Sequence, residues 1–514
     1  MADSFPKIVG TSLIPEVIRF AMLPLGVFGE RKTVRLPSMD GSEYTYDTRR
    51  EINFKIPQEM NAFLDKYHSY VSMEIQGFHE SACTNALAYG TYESIFDDGL
   101  CHAILDELEV QKSDGYTIQR KSYYNKEHAV LKKVNMNPDY YNSIQARGEG
   151  YWGDFGQNDG ISSGNKFIDK TVYGINPTVV EQAPTLALTN ADPAVGSISG
   201  TADVGLAATV LQTTSNISLN YTDIDKELIT RAGKKTRYTF RPHCVLFQGD
   251  HYFPLHEMTG GMIFSLRLAS NNNVFTNQSY KKYATGTTSE LSHPSTSPTY
   301  KITNPRLVMD IVTMGAEYMN VYNIYKKTMG TIQLPFEQWE VKTKALSAGQ
   351  VTVAEGVNSI KGAIAYAQTL AKQNVLTNYS MSSFSTLGTT GIKARFLVGG
   401  VSYPRHDMTI VDTGTTDYER ISELMKSVGK LGDIGSSSLI RQEFINSEDC
   451  IFGVNFETYA QESGMFRSGL RSNGNSPLTL DIEGTATSSA MLYVLIHTDR
   501  VLTIDLDGNV SVAY

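Results

Sequence analysis

Only four of the 514 residues are cysteine and two are tryptophan, and charged residues make up 19% of the chain, below the ~25% usual for soluble domains. Each shortage excludes something. Cys83, Cys101, Cys244 and Cys450 form no C-x-x-C pair and no zinc-knuckle spacing, and they are too few to staple a chain of this size. They read as free thiols of a reducing compartment. Trp152 and Trp339 make only a thin aromatic platform for a sugar. The 45 Lys and Arg are outnumbered by 54 Asp and Glu, giving a net charge of −9, which argues against a surface built throughout to grip nucleic acid. The opening MADSFPKIVG has no basic start followed by an apolar core, so no signal peptide is expected. The most apolar early stretch, Phe20–Phe28, is broken by Pro24 and falls far short of the ~20 residues that cross a bilayer. The expectation is a soluble protein of intracellular origin that is not secreted.

What is plentiful is tyrosine, at 29 residues, together with Thr, Ser and Asn. Such a weakly charged, polar surface suits strands and subunit contacts better than helical bundles. Residues 1–41 read as an N-terminal arm in which Pro15 opens a short helix. Val17, Ile18, Ala21 and Met22 share its face until Pro24 ends it. The arm either packs on its own domain or reaches a neighbouring subunit or a membrane surface. From residue 51 strands begin: Ile52, Phe54 and Ile56 alternate with polar residues, and Tyr70–Ile75 is a second candidate. Asp97 and Asp98 suit the cap of a helix carrying Leu100, Ile104, Leu105 and Leu108. Asp114-Gly115 signals a hairpin.

No Lys or Arg occurs between Lys170 and Lys226. Residues 171–225, dominated by Ala, Thr, Ser, Asn and Gly with spaced Val179, Leu186, Val204, Leu211 and Ile217, read as an ordered, loop-rich surface insertion, with disorder as the alternative. Strands resume at Tyr238–Arg241 and Met262–Leu268. Residues 270–299, rich in Asn, Ser and Thr, form the best linker candidate. Beyond it the pattern predicts strands over Leu307–Val312, Gly330–Leu334, Ile392–Val401 and Cys450–Phe456, a helix over Ala316–Lys327, and a second helix over Asp417–Val428 capped by Thr416. Asn358–Lys372 fits a strand or a helix. At the C-terminus Leu502, Ile504 and Leu506, then Val510, Val512 and Tyr514, alternate about Asp507-Gly508-Asn509. A two-residue turn would put the two apolar sets on opposite faces. A three-residue loop with Asn509 left-handed pairs Leu506 with Val510 and gathers all six on one face, so it is the register expected.

Chemistry-bearing motifs are weak. Gly160-Ile-Ser162-Ser-Gly164 matches G-x-S-x-G, but no strand precedes it to make a nucleophile elbow. Gly429-Lys430 lacks the remainder of a phosphate loop. His243, Cys244, His251 and His256 cluster in sequence, yet only Asp250 accompanies them, and they read as surface and core residues rather than metal ligands. The N-x-S/T sequons, Asn216 and Asn509 among them, read as chance without a secretion signal. No catalytic, cofactor-binding or metal-binding residue is assigned, no cofactor is expected, and an enzyme is not expected.

A series of short blocks nevertheless carries a resemblance across about residues 48–514. They are Asn53-Phe-Lys-Ile-Pro57; Asp114-Gly115 with Tyr123-Tyr-Asn125; Arg241-Pro-His-Cys-Val-Leu-Phe247 ahead of Phe253-Pro-Leu255; Asn304-Pro305-Arg306-Leu307; Asn358-Ser-Ile-Lys-Gly362; Phe396-Leu-Val-Gly-Gly-Val-Ser-Tyr-Pro404; Gly464–Gly469 before Leu478–Ile482; and Arg500–Gly508. In order and spacing they resemble the double jelly-roll major capsid proteins of small eukaryotic double-stranded DNA viruses, the polinton-like viruses, adintoviruses and virophages. The resemblance implies an all-β chain of two consecutive eight-stranded jelly-roll barrels with short helices in the connections, and it turns Asn358–Lys372 into a strand. The domains expected are a first jelly roll over 42–269 with the insertion at 171–225, a linker over 270–299 and a second jelly roll over 300–514. It implies homotrimers, pseudo-hexagonal capsomers, that tile an icosahedral virion shell. The implied partners are neighbouring capsomers, penton and minor capsid proteins, and in some shells an internal membrane, with no sequence-specific nucleic-acid binding. The competing reading is a receptor- or carbohydrate-binding β-sandwich spike protein.

Overall fold

In the computed structural model the alternation of Glu51–Ile56 becomes a strand with Ile52, Phe54 and Ile56 fully buried. The structure describes residues 29–513 apart from 88–93, 142, 153–230, 250, 278–280, 285–286, 291–297, 355, 371–372, 374–380, 383, 389–390, 411–417, 432–437, 441–449 and 458–468. The helix expected after Pro15, the Gly160–Gly164 motif, the 171–225 insertion, Thr416 and Tyr514 lie outside the described residues.

Eight strands make the first barrel: β1 (Gly29–Pro37), β2 (Glu51–Ile56), β3 (Ala62–Phe78), β4 (Leu105–Lys112), β5 (Thr117–Ser122), β6 (Thr236–Phe240), β7 (Met262–Leu268) and β8 (Thr299–Met314). One sheet runs β1-β8-β3-β6 and the facing sheet β2-β7-β4-β5, every pair antiparallel. The second barrel is built from β9 (Thr331–Ala345), β10 (Gly349–Ala354), β11 (Ile360–Thr369), β12 (Lys393–Val398), β13 (Val401–Thr409), β14 (Ile451–Asn455), β15 (Leu478–Glu483) and β16 (Ala490–Asp505). Its sheets run β9-β16-β11-β14 and β10-β15-β12-β13. Adding eight to each label of the first barrel reproduces the second. In each barrel the first strand pairs with the eighth, the second with the seventh, the third with the sixth and the fourth with the fifth. That nested pairing of eight principal strands in two facing sheets is a jelly roll; the short strands Glu43–Tyr44 on β8 and Phe253–Pro254 on β3 add to the first barrel's sheet off these paths. The chain is a double jelly roll.

The arm expected over 1–41 contains β1, the edge strand of the first barrel, paired with β8 from Gly29↔Met314 to Pro37↔Arg306. The second domain was expected from residue 300, but Thr299–Met314 is the eighth strand of the first barrel, so the change of barrel falls at helix α3 (Ala316–Met329). Strand partners are chosen by long-range pairing, which a break in composition does not report. Within 270–299, Phe275–Asn277 pairs with Ser94–Phe96, and Lys281–Ala284 forms a hairpin with Thr287–Glu290. The segment therefore joins β7 to β8 within the first barrel, and is no inter-barrel linker. The helix expected from Leu100 to Leu108 stops after one turn, α1 (Leu100–Ala103). Gly99, left-handed at φ 83°, stands at its start where a carboxylate cap was expected. Leu105 onward extends instead, because β4 gains a full ladder with β7.

The C-terminal hairpin is also out of the expected register, in which Leu506 pairs with Val510. β17 (Val510–Ala513) pairs with β16 through Ile504↔Val510 and Leu502↔Val512. The Asp505 carboxylate accepts the Asn509 N–H (2.7 Å) and its side-chain amide (2.8 Å), closing the turn at Asp505–Asn509. Gly508, at φ 80°, takes the left-handed position expected of Asn509, and Leu506 is turned out, 52% exposed. Leu502, Ile504, Val510 and Val512 do share one buried face, but they join the core of the first barrel, beside Ile332 and Phe336 of β9. The hairpin fastens the barrels together.

Val512→Asp is therefore expected to cost several kcal/mol by burying an unpaired carboxylate, whereas Ser511→Asp on the exposed face should cost under about 0.5 kcal/mol. Denaturant midpoints of the two variants check this; equal losses would contradict the register.

Candidate functional site

Helix α2 (Tyr124–Asn135) follows β5 and runs between the barrels. Its sequence YNKEHAVLKKVN places Glu127 in the first turn and Lys132 and Lys133 in the last, matching the helix dipole. Ala129, Val130, Leu131 and Val134 pack with Ile364, Tyr366, Tyr493 and Leu495 of the second barrel. The polar residues are buried too, and each finds a partner: Lys132 reaches Asp98 (2.8 Å) and Ser382 (3.0 Å), Glu127 pairs with Lys121 (2.6 Å), and Lys126 donates to the neutral Gln368 amide (2.7 Å). Lys133 lies over the Phe384 ring. Asp98 also accepts the Tyr141 hydroxyl and the Trp152 backbone N–H, both at 2.9 Å. Asp97 accepts the Met381 backbone N–H at 2.7 Å, so the two aspartates expected to cap a helix instead anchor these connections.

The same helix brings together three histidines. His102 on α1, His128 on α2 and His243 in the turn after β6 each offer a ring nitrogen within 4.8 Å of the other two. His102 and His128 stack face to face, 3.9 Å between centroids and 7° from parallel. Tyr124 holds the cluster in place: its hydroxyl lies 2.8 Å from His102 Nδ1 and accepts the His243 backbone N–H at 3.0 Å. The Tyr151 hydroxyl lies 2.7 Å from His128 Nε2. His128 Nδ1 is buried without a hydrogen-bond partner. Glu149 Oε2 lies 3.8 Å from His102 Nε2. Burial, followed by the neighbouring imidazoles, pushes His128 well below the usual histidine range, and burial and then His102 do the same to His243.

The cluster lines a cleft of about 1370 Å³ between the barrels. On its far side Trp339 stacks on His497 (4.3 Å, 5°), and Glu337 meets His497 (3.1 Å) and Lys361 (2.6 Å).

Of the residues weighed from sequence, His243 is in the cluster, but Cys244, His251 and His256 are not its partners. Cys244 is in the first core, where burial pushes its thiol up to about 12. His251 lines the cleft, and His256 packs on Phe63 and Tyr322 beside Glu257. Gly429, at φ 71°, follows helix α4 (Tyr418–Ser427) and makes no phosphate loop. His102 and His128 went unassigned. They stand 26 residues apart in sequence, and His243 a further 115, so no local spacing signals the group.

The sequence matches no protein-family model and no curated protein. Solved structures similar to this chain include a chain of the Sputnik virophage determined by cryo-EM (10% identity, TM-score 0.49, covering 98% of this chain and 92% of that one). The Faustovirus major capsid protein is similar at 9% identity and TM-score 0.48, covering 97% and 94%. The mavirus major capsid protein is similar at 9% identity and TM-score 0.41, also covering 97% and 94%.

The far side of the cleft makes a pH prediction. The His497 hydrogen bond, then Lys361, hold Glu337 down at about 2, although its side chain is 57% exposed at the cleft. A carboxylate depressed on folding stabilises above its unfolded value of about 4.3, and that contribution is lost as pH falls toward 2. Glu337→Gln should flatten the stability–pH curve between those values and leave the region above pH 6 nearly unchanged in shape, as read by thermal midpoints across pH.

Proposed function

We propose that this chain is a major capsid protein whose trimers, each carrying six barrels, tile the icosahedral shell of a virion. The observation that carries the reading is the strand order repeated in two fused barrels. Jelly rolls serve viral shells, lectins and cupins, and fold alone does not choose among them. The barrel interiors favour the shell. Phe54 stacks on Phe264 in the first, and Phe396 on Phe452 in the second. These filled interiors leave little room for a substrate inside either barrel. A sugar platform has little support either, since Trp152 is buried and Trp339 is covered by His497.

A shell subunit must also present faces to its own copies. Helix α3 has two. Met319, Tyr322 and Lys326 turn inward, the last paired with Glu257 at 2.6 Å. Val321, Ile324, Tyr325 and Met329 form an apolar stripe on the other side, with Ile324 65% exposed. A contiguous apolar face of this kind marks an interaction site, and in this reading a second copy of the chain covers it. Neighbouring capsomers, penton and minor capsid proteins would complete the shell, with an internal membrane beneath it in some virions. The chain would act in the virion after synthesis in the host cell.

Light scattering of the native protein should give the mass of three 56.8-kDa chains, and negative-stain images a pseudo-hexagonal outline. A monomer at micromolar concentration would contradict the reading. Ile324→Asp should shift the mass toward the monomer while leaving the unfolding midpoint of the separated chain unchanged.

The insertion at 171–225 falls in sequence between β5 and β6, and it belongs in this reading to the shell's surface. Replacing Asn176–Ser215 by a short Gly/Ser link should leave a folded trimer, since loop length changes closure free energy by only ~0.6 kcal/mol per doubling. An insoluble product would place the segment in the core.

A further inference from the structure

We propose that His102, His128 and His243, with Glu149 as fourth donor, bind one Zn²⁺ ion per chain in the inter-barrel cleft. Among the described residues three imidazoles converge here from three separate pieces of chain, α1, α2 and the turn after β6, and Glu149, at the end of the short helix Ile144–Gly148, lies beside one of them, His102. Three nitrogens and one carboxylate oxygen are a donor set that zinc takes in tetrahedral geometry.

The hydrogen bonds around the cluster already do what the outer partners of a metal site do. A ligating histidine uses one nitrogen for the metal and commits the other to an acceptor that fixes its ring. Tyr151 occupies His128 Nε2 and leaves Nδ1 free, buried and unpartnered. A buried imidazole nitrogen without a partner is costly unless something is bound to it. Tyr124 occupies His102 Nδ1 and leaves Nε2 facing Glu149 at 3.8 Å. That separation is too long for a hydrogen bond, but two bonds of about 2.1 Å meeting at one ion span it.

Binding requires a small rearrangement. Ligand atoms of a tetrahedral zinc stand about 3.4 Å apart, so the three nitrogens, now within 4.8 Å of one another, draw in by up to about 1.4 Å. An imidazole binds a metal in its own ring plane, so the ion also turns one of the stacked His102 and His128 rings out of parallel. His243, the least buried of the three and a lining residue of the cleft, gives the ion its way in. Once bound, zinc ties the connection after β5 to the barrel wall.

The test uses the full-length protein stripped with EDTA and dialysed. Zinc titration followed by elemental analysis should give one equivalent retained per chain, with an unfolding midpoint that rises on adding Zn²⁺ and falls again with EDTA. His243→Gln should lose at least tenfold in Zn²⁺ affinity and most of that midpoint shift. Co²⁺ added to the unmutated protein should give the intense visible bands of a tetrahedral nitrogen-ligated ion, a readout that stands even if a variant fails to fold. No retained Zn²⁺, equal affinity in His243→Gln, or only the weak spectrum of octahedral Co²⁺ would each overturn the proposal.

Discussion

The ladder between β9 and β16 is the element on which the arrangement of this molecule depends. It runs without interruption from Thr331↔Asp505 to Ala345↔Met491, and it passes through three cores. Leu492, Val494 and Ile496 face the second barrel's interior; Tyr493 and Leu495 face α2; Leu502 and Ile504 reach the first barrel's core. Six side chains near its end, Ile332, Phe336, Leu502, Ile504, Val510 and Val512, are buried against the first barrel. At about 1.5–3 kcal/mol for each such side chain, their burial is worth on the order of 10 kcal/mol, as much as the whole stability of many domains. Separating the barrels would forfeit that, so they behave as one unit. Polar contacts fix the alignment: Gln119 and Gln338 join across the boundary at 3.1 Å, and Lys112 donates to the Gly508 carbonyl at 3.0 Å.

Helix α2 fills what the ladder leaves open, and it does so with charges. Burying Lys126, Lys132, Lys133 and Glu127 is expensive, and their pairs recover the cost without a large surplus. Such pairs act mainly on specificity. Lys132 satisfies Asp98 of the first barrel and Ser382 of the second only in one relative position of the two. Lys126 meets Gln368 of β11 under the same constraint. The apolar ladder holds the barrels together, and the buried ions select the angle at which they meet.

How much of this could be read from sequence follows from the range of each interaction. Alternation at Ile52, Phe54 and Ile56 or over Met262–Leu268 needs only neighbours in sequence, and those strands were legible. The turn at Asp114-Gly115 was legible for the same reason. Partner choice was not: nothing local in Thr299–Met314 says that it returns to β3 and β1 instead of opening a new barrel. Helix α2 was missed because Lys126, Lys132 and Lys133 look like a solvated face, although the run of strong helix formers with lysines at its end was a usable signal. The histidine cluster was half visible. His243 drew notice among the wrong companions, because His102 and His128 come to it through α1 and α2, whose packing no motif records.

The two barrels are equal in topology and unequal in their connections, and that inequality is where function can be placed. The link between fourth and fifth strands is short in both, four residues in one barrel and two in the other. The link between fifth and sixth strands is long in both, holding α2 in the first barrel and α4 in the second. In α4, Arg420 is fully buried and donates to the Ile410 carbonyl, and Leu424 packs beside Ile364 of β11 and Ile451 of β14, on the sheet that α2 also covers. Both helices therefore pack into one shared cluster, from the corresponding connection of each barrel, and the barrels are related by more than their strands. Repetition of the barrel supplies a rigid frame. Divergence of one connection then supplies the inter-barrel wedge, the tyrosine-held histidines and the sequence position of the 171–225 insertion, all within the chain between β5 and β6 or against it. Because that connection hangs from paired strands at both ends, it can lengthen or acquire a site without disturbing the ladder that joins the barrels.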